Sequence, residues 1–197
     1  GRLAHSHAEF ILKLAAKFAR QNANKRGIWR TGSDGLERCP KKVTQWGLQK
    51  AAESAPRVSW SASGYARGLR SFILDRVTAI HAVEFSVYKK GYGFAGTADA
   101  LLDIDGDGPF IVDWKTAKEV RSDDMIEQFC HQLGAYSIGL ESLTGIKPKY
   151  GAVVVARRSG KPQIKLLNSL ELSGAKYDFL NRVDRYNKNL VKEVSVV

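Results

Sequence analysis

The chain has 197 residues, of which 44% are hydrophobic, and its formal net charge at pH 7 is +11. We expect one domain over residues 1–197 and no membrane partner, because the length suits a single core and no run approaches the roughly 18 consecutive apolar residues of a membrane span. The positive charge favours a nucleic-acid partner, since lysines and arginines that neutralise phosphates dominate such affinity.

Apolar periodicity and turn residues predict the order of the secondary structure. Helices are expected at 2–23, 41–54 and 61–78, followed by three strands at 80–90, 94–104 and 109–116 that form a meander. A helix over 123–143, strands at 150–157 and 162–168, and a last helix at 171–193 complete the chain.

The first helix carries a set of apolar residues at helical spacing, which we expect to form its buried face: Leu3, Phe10, Ile11, Leu14 and Phe18. His5 and Glu9 lie one turn apart on another shared face, either as a functional pair or as a solvated ion pair. We expect His7 to be an ordinary surface residue.

Between Lys25 and Arg70, ten lysines and arginines face three acidic residues. Four aromatic side chains are interleaved with them: Trp29, Trp46, Trp60 and Tyr65. Basic and aromatic residues together suit single strands, because bases stack on aromatic faces while cations hold phosphates. Trp46 and Trp60 fit the protein core equally well.

Acidic residues concentrate in the middle of the chain. Ten of the twenty acidic residues fall between Glu84 and Glu127, where there are five basic residues. This segment therefore has a net charge of about −5, whereas the rest of the chain has a net charge of about +16. This distribution is typical of a metal site inside a groove that binds a phosphate backbone.

Asp113 and Lys115 are two residues apart in an apolar run, so in a strand both side chains point to one face of the sheet. Asp99 lies on the preceding strand, and the turn at 105–108 folds the two strands together, so the aspartates can share one divalent cation. Two carboxylates that hold a divalent cation, with a lysine beside them, are the groups that phosphodiester hydrolysis requires. In such a reaction Lys115 can orient the attacking water or bind the scissile phosphate. The alternative is a structural ion pair between Asp113 and Lys115.

Gln132 and Tyr136 share one face of the helix predicted at 123–143, and Gln128 lies one turn earlier on it. An amide and a phenol one turn apart can bind a phosphate, or they can form a buried polar pair. The sequence Asp103-x-Asp105-x-Asp107-Gly108 also resembles the start of an EF-hand calcium loop. We reject that interpretation because Trp114 occupies the twelfth position, where a bidentate glutamate is required.

These motifs follow one order: Glu84, Gly96-Thr97-Ala98-Asp99, Asp113-Trp114-Lys115-Thr116 and Gln132-x-x-x-Tyr136. The order resembles the RecB-like branch of the PD-(D/E)XK nuclease superfamily over most of the chain. Within that branch, 111–116 and 151–156 are most similar to the mitochondrial genome maintenance exonuclease and related phage and bacterial exonucleases. The resemblance implies a restriction-endonuclease-like α/β (α+β) fold. Its αβββαβ core has a central mixed sheet flanked by helices, here with a helical insertion at about 25–78.

The resemblance also implies roles for individual residues. Asp99 and Asp113 would be metal ligands, and Gly1-x-x-x-His5 resembles a motif whose histidine is a further ligand. Glu84 occupies the glutamate position of the first strand, and Trp114 would lend its backbone carbonyl. Gln128, Gln132, Tyr136 and Thr116 would contact nucleic acid.

The resulting expectation is a Mg²⁺- or Mn²⁺-dependent exonuclease that hydrolyses single-stranded DNA from an end, in replication, repair or recombination. Cys39 and Cys130 are too few for the four-cysteine set of an iron–sulfur cluster, so none is expected. Two alternatives stay open: an endonuclease or flap-processing enzyme with the same chemistry, and an inactive nucleic-acid-binding module. We expect an intracellular location, in a bacterial or phage-infected cytoplasm or in the mitochondrial matrix.

Overall fold

A computed structural model describes residues 2–194 of the chain, with side chains up to residue 189. The elements in chain order are α1 (Arg2–Arg26), β1 (Arg30–Thr31), β2 (Glu37–Arg38), α2 (Lys41–Ser54), α3 (Trp60–Arg76), β3 (Val77–Lys89), a 3₁₀ turn (Lys90–Tyr92), β4 (Phe94–Ile104), β5 (Asp107–Ala117), α4 (Asp123–Thr144), β6 (Tyr150–Arg157), β7 (Gln163–Leu167) and α5 (Ser169–Val194). Every predicted helix and strand is present, with boundaries that differ by at most three residues.

Five strands form a mixed sheet in the order β3-β4-β5-β6-β7. The first three are an antiparallel meander, β6 is parallel to β5, and β7 returns antiparallel to β6. The parallel pair requires a crossover, and α4 provides it, as is usual for parallel neighbours. The sheet therefore has the predicted topology.

Helices cover both faces of this sheet. Alternate residues of β5 divide between two hydrophobic clusters: Val112 and Trp114 pack with α1, α2 and α3, whereas Ile111 and Ala117 pack with α4 and α5. Asp113 and Lys115 alternate with Val112 and Trp114 along β5, so they point to the same side of the sheet as Ile111, toward α4. The predicted α+β arrangement, a mixed sheet flanked by helices, is confirmed.

The buried face of α1 differs from the one that we expected. Small residues line it at helical spacing, together with Ile11 and Leu12, whereas Leu3 is 55% exposed and Phe10 is 38% exposed. The alanines allow close packing, and a side chain at Gly47 of α2 would come within 2.8 Å of the Ala15 carbonyl oxygen. The expectation that His7 lies at the surface is also wrong, because this residue is buried on the same face.

Two glycines allow α4 to pack closely on both sides. A Cβ atom at Gly134 would lie 2.5 Å from the carbonyl oxygen of Ala175 in α5. A Cβ atom at Gly139 would lie 2.8 Å from the Cβ of Val87 and 3.1 Å from the amide nitrogen of Tyr88 on β3. Larger residues at either position would push α4 away from its neighbours.

The short hairpin of β1 and β2 was not predicted, and an ion-pair network attaches it to the sheet. Arg38 donates to both carboxylate oxygens of Asp34, at 2.9 and 2.7 Å, and to the buried carboxylate of Asp103 at 2.6 Å. His81 on β3 also contacts Asp103, at 2.8 Å. Asp103, on β4 just before the β4–β5 turn, therefore has protein side chains as partners for its carboxylate.

Candidate metal and nucleic-acid site

Asp113 and Lys115 lie next to each other on β5, with Trp114 between them pointing to the opposite face. The Lys115 Nζ atom lies 2.6 Å from Oδ2 of Asp113, which is 2% exposed. The approach falls outside hydrogen-bond geometry, so this buried oxygen has an ion-pair partner but no hydrogen-bond donor. A buried oxygen in this state can accept a further positive partner.

Asp99 on β4 lies beside Asp113. Its Oδ2 atom accepts a hydrogen bond of 2.6 Å from the backbone N–H of Trp114. Asp99 and Asp113 come one residue beyond the paired residues Ala100 and Val112, where β4 and β5 begin to separate. The structure thus brings together the two aspartates that the sequence singled out.

The two carboxylates repel each other inside the protein. Burial, and next the charge of Asp113, raise the pKa of Asp99 to about 7, against the hydrogen bond from Trp114. Burial also raises the pKa of Asp113, and the adjacent Lys115 ammonium opposes that change. One lysine therefore does not neutralise the pair, and a divalent cation is the kind of ligand that would.

His5 lies on α1 close enough to Lys115 for the lysine charge to act on it. Burial, and then that charge, lower the pKa of the His5 imidazole. Its Nε2 atom is buried and has no hydrogen-bond partner. A neutral imidazole with a free nitrogen is the form that binds a metal ion. Gly1, the first residue of the histidine motif, lies outside the described residues.

The donor chemistry of this region fits a hard divalent cation, since two neighbouring carboxylates share one lysine ammonium and the buried Nε2 atom of His5 has no hydrogen-bond partner. Among residues 2–189, whose side chains the structure describes, no three His, Cys, Asp or Glu side chains group closely enough to hold a metal ion by themselves. Asp99 and Asp113 are therefore the assembled part of the candidate site.

Glu84 lies at the edge of the site on β3, in an unusual backbone conformation. Its φ angle is +51°, in the left-handed region that residues with a side chain seldom adopt. Burial, and next the charge of Glu9 on α1, raise the pKa of the Glu84 carboxyl, whereas Lys13 lowers it. Glu84 is exposed and faces α1, although its charge also reaches Asp99.

The predicted nucleic-acid contacts divide between two cavities. Gln128, Gln132 and Tyr136 line a cavity of about 410 Å³ between the β3–β4 hairpin, α4 and α5. Burial, and then the charges of Asp113 and Asp99, raise the pKa of Tyr136 to about 12, so its hydroxyl is a donor at neutral pH. Thr116 instead lines a second cavity, of about 460 Å³, beside Tyr65 of α3.

The sequence left open whether Trp60 belongs to the core. It does not, because Trp60 is 83% exposed at the start of α3. The guanidinium carbon of Arg158 lies 5.9 Å from the centre of its ring. Gly64 allows α3 to approach Arg158 this closely, since any side chain at Gly64 would overlap the Arg158 carbonyl oxygen. Trp46 is 44% exposed and packs against Phe18, with ring centres 6.2 Å apart.

Besides His131 of α4, sequence reasoning missed three aromatic or charged residues that line the 410 Å³ cavity: Phe94, Phe179 and Arg182. Phe94 begins a strand, and the other two lie on α5, whose sequence pattern indicates only a packing helix. The one available signal was their aromatic and cationic character, which many surface helices share.

Comparison with known families agrees with this geometry. The sequence profile of the PD-(D/E)XK nuclease superfamily matches residues 1–193, almost the whole chain. Among curated proteins, no significant match to the chain was found. Within residues 2–194, no helix is both long and apolar enough to cross a membrane.

Nucleases of this superfamily generally use divalent metal ions such as Mg²⁺ or Mn²⁺ and act on nucleic acid. Their restriction-endonuclease-like fold is consistent with the five-stranded mixed sheet and flanking helices described above. The extent of the match, over nearly every residue, establishes the family: the chain belongs to the PD-(D/E)XK nuclease superfamily.

Proposed function

We propose that this nuclease is a Mg²⁺- or Mn²⁺-dependent exonuclease that hydrolyses single-stranded DNA from an end, in the RecB-like branch of the superfamily. The observation that carries the proposal is the position of Asp99 and Asp113 side by side on β4 and β5, just beyond the last paired residues, with Lys115 against Asp113. A role in replication, repair or recombination follows from the same resemblance.

Asp99 and Asp113 would hold the cation, with His5 and the backbone carbonyl of Trp114 as further ligands. When bound there, the cation would neutralise charge on the scissile phosphate and promote ionisation of water. Glu84 would orient a water molecule from the α1 side. Two buried atoms support this ligand set: Nε2 of His5, which has no hydrogen-bond partner, and Oδ2 of Asp113, whose partner is the Lys115 ammonium.

Lys115 lies against Asp113, where its ammonium partly neutralises the carboxylate, and the centre of the Phe129 ring is 5.3 Å from its Nζ atom. In the reaction Lys115 would donate to the attacking water or to a phosphate oxygen, where its charge counts most in the transition state. Gln132 and the Tyr136 hydroxyl would donate to the neighbouring phosphate.

The exposed aromatic and basic groups favour a single strand. Trp60 presents an indole face beside Arg158, so an unpaired base can stack while the guanidinium binds a phosphate. Helices α2 and α3, within the proposed insertion at 25–78, lie on the opposite face of the sheet from α4. An enzyme that threads DNA from an end must enclose the strand at the candidate site, whereas an endonuclease or a flap-processing enzyme would leave a side entrance. Because α2 and α3 lie on the other face, they do not provide this enclosure by themselves.

The test is digestion of end-labelled linear single-stranded DNA beside circular single-stranded DNA, with Mg²⁺ and with a chelator. We expect Mg²⁺-dependent loss of the linear substrate alone. Lys115→Ala is expected to lower the rate by about 100-fold or more, the usual effect of removing a group that stabilises transition-state charge. Lys147→Ala, an exposed lysine in the loop before β6, is the matched control and should leave the rate unchanged.

Cutting of the circle as well would make the enzyme an endonuclease. No digestion of either substrate would favour the inactive binding module. Unchanged activity of Lys115→Ala would remove this lysine from the mechanism.

A further inference from the structure

The cavity of about 410 Å³ beside the candidate site is lined by both aromatic and polar side chains, as a ligand-binding site would be. Aromatic rings, amides, an imidazole and a guanidinium share the lining, including Phe94, Gln128, His131, Phe179 and Arg182. Its volume lies within the range of about 300 to 1,000 Å³ that is typical of small-ligand sites. The cavity is therefore large enough for one nucleobase with its sugar.

The cavity lies near the candidate catalytic centre, since the charges of Asp113 and Asp99 act on Tyr136 in its lining. Tyr136 lines it, and the tyrosine ring rests on the backbone of β4, where a Cβ atom at Gly96 would lie 3.1 Å from the ring. Gly96 precedes Asp99 by three residues on the same strand, a separation of about 10 Å at the usual rise of a strand. A strand whose phosphate lies at Asp99 can thus place a neighbouring base in the cavity.

The aromatic wall is suited to a planar ligand. Phe94 and Phe179 form an edge-to-face pair, with ring centres 4.9 Å apart and planes at 84°. Both rings are partly exposed to the cavity rather than buried in either hydrophobic cluster. Aromatic side chains in this state provide stacking surfaces for nucleobases, whatever the base.

A buried polar group also lacks a partner in this lining. His131 is 8% exposed, and its Nδ1 atom has no hydrogen-bond partner. Its other nitrogen lies 3.8 Å from a carboxylate oxygen of Asp178, beyond hydrogen-bond distance. The unpaired nitrogen of His131 lies just beneath the lining. The edge of a nucleobase carries both donors and acceptors, which the exposed amides of Gln128 and Gln132 can match from the surface of the cavity. Arg182 adds a positive charge that suits the adjacent phosphate.

We propose that this cavity binds one unpaired nucleobase of the substrate strand next to the scissile phosphate, with the base against Phe94 and Phe179 and a phosphate at Arg182. The inference rests on the proposed function and makes it more specific. A base that is paired in a duplex is not free to enter the cavity, so the cavity would select single-stranded or frayed ends.

The first test uses the unchanged protein and a set of linear single strands, each with one abasic residue at a different distance from the labelled end. An abasic residue at one particular position should lower kcat/KM by about 5- to 100-fold, the loss expected for one stacked base. Phe179→Leu and Phe94→Leu should abolish this dependence on position. Tyr88→Leu, which changes an exposed aromatic residue of the same hairpin outside the cavity, should keep it.

A second measurement does not depend on cleavage. A fluorescent adenine analogue is placed at each position of the strand, which is bound to Lys115→Ala in the presence of Mg²⁺. Quenching of the fluorescence at one position, relieved by Phe179→Leu, would support binding of a base in the cavity. If the unchanged protein then cleaves nothing, the proposed function alone would be refuted. Normal cleavage with equal abasic effects at every position would overturn the cavity proposal and leave the proposed function standing.

Discussion

Asp99 is held in a place that disfavours its ionised form, and this gives a prediction about stability. A pKa of about 7 instead of 3.8 corresponds to about 4 kcal/mol of destabilisation once the group is ionised, because each pKa unit is worth about 1.4 kcal/mol. Asp99 is only partly buried and solvent relaxation reduces this cost, so we expect about 1 to 3 kcal/mol. Asp99→Asn should therefore stabilise the protein without metal at pH 8.

The size of this destabilisation depends on pH. The folded state binds more protons than the unfolded state between pH 3.8 and about 7, so the cost is absent below this window and complete above it. At pH 5 the advantage of Asp99→Asn should be smaller than at pH 8, because pH 5 lies within this window and the cost is only partly developed there. The amide oxygen of Asn can still accept the Trp114 N–H bond, so this contact does not account for the difference.

The assay is urea unfolding of both proteins in a chelator at pH 5 and pH 8, followed by addition of Mg²⁺ at pH 8. Mg²⁺ should stabilise the unchanged protein and have little effect on Asp99→Asn. Asp107→Asn, at an exposed aspartate of the β4–β5 turn, is the control. An advantage of Asp99→Asn that is equal at both pH values would refute the electrostatic reasoning.

Three further changes test other parts of the structure. Arg38→Ala should lower the free energy of unfolding by about 3 kcal/mol, because it leaves buried Asp103 without its guanidinium partner; urea unfolding measures this. Trp60→Ala should weaken binding of single strands by about 5- to 100-fold in fluorescence anisotropy and leave thermal stability unchanged, since the indole is 83% exposed. Glu84→Gly should raise the free energy of unfolding by about 1 kcal/mol in chemical denaturation while Glu84→Ala does not, because glycine adopts a φ of +51° at little cost.

Local patterns in the sequence were sufficient to predict the sheet and the position of the aspartates. The strand over 94–104 was predicted at its observed boundaries because an apolar run lies between two glycine-containing turns. The β1–β2 hairpin was missed because strands of two residues have no periodicity. Its position depends on Arg38 and Asp103, which are 65 residues apart in the chain.

Predictions that depended on which residues a helix buries were less successful. His7 was expected at the surface, but packing between helices buries it on the alanine-lined face of α1. The 410 Å³ cavity could not be predicted, because Phe94 and Phe179 are 85 residues apart and meet only through tertiary packing. Roles inferred for His5, Glu84 and Thr116 remain predictions for mutagenesis.

The glycines that bring α4 close to α5 and to β3 have a consequence for how binding energy is used. Because a Cβ atom at Gly134 or Gly139 would overlap α5 or β3, the backbone of α4 is packed tightly on both sides. The backbone from which Gln132 and Tyr136 project is therefore set when the protein folds, before any ligand arrives. The entropy of ordering these groups is lost when the protein folds rather than at each catalytic cycle, so more of the contact energy with a strand is available for alignment at the reacting phosphate.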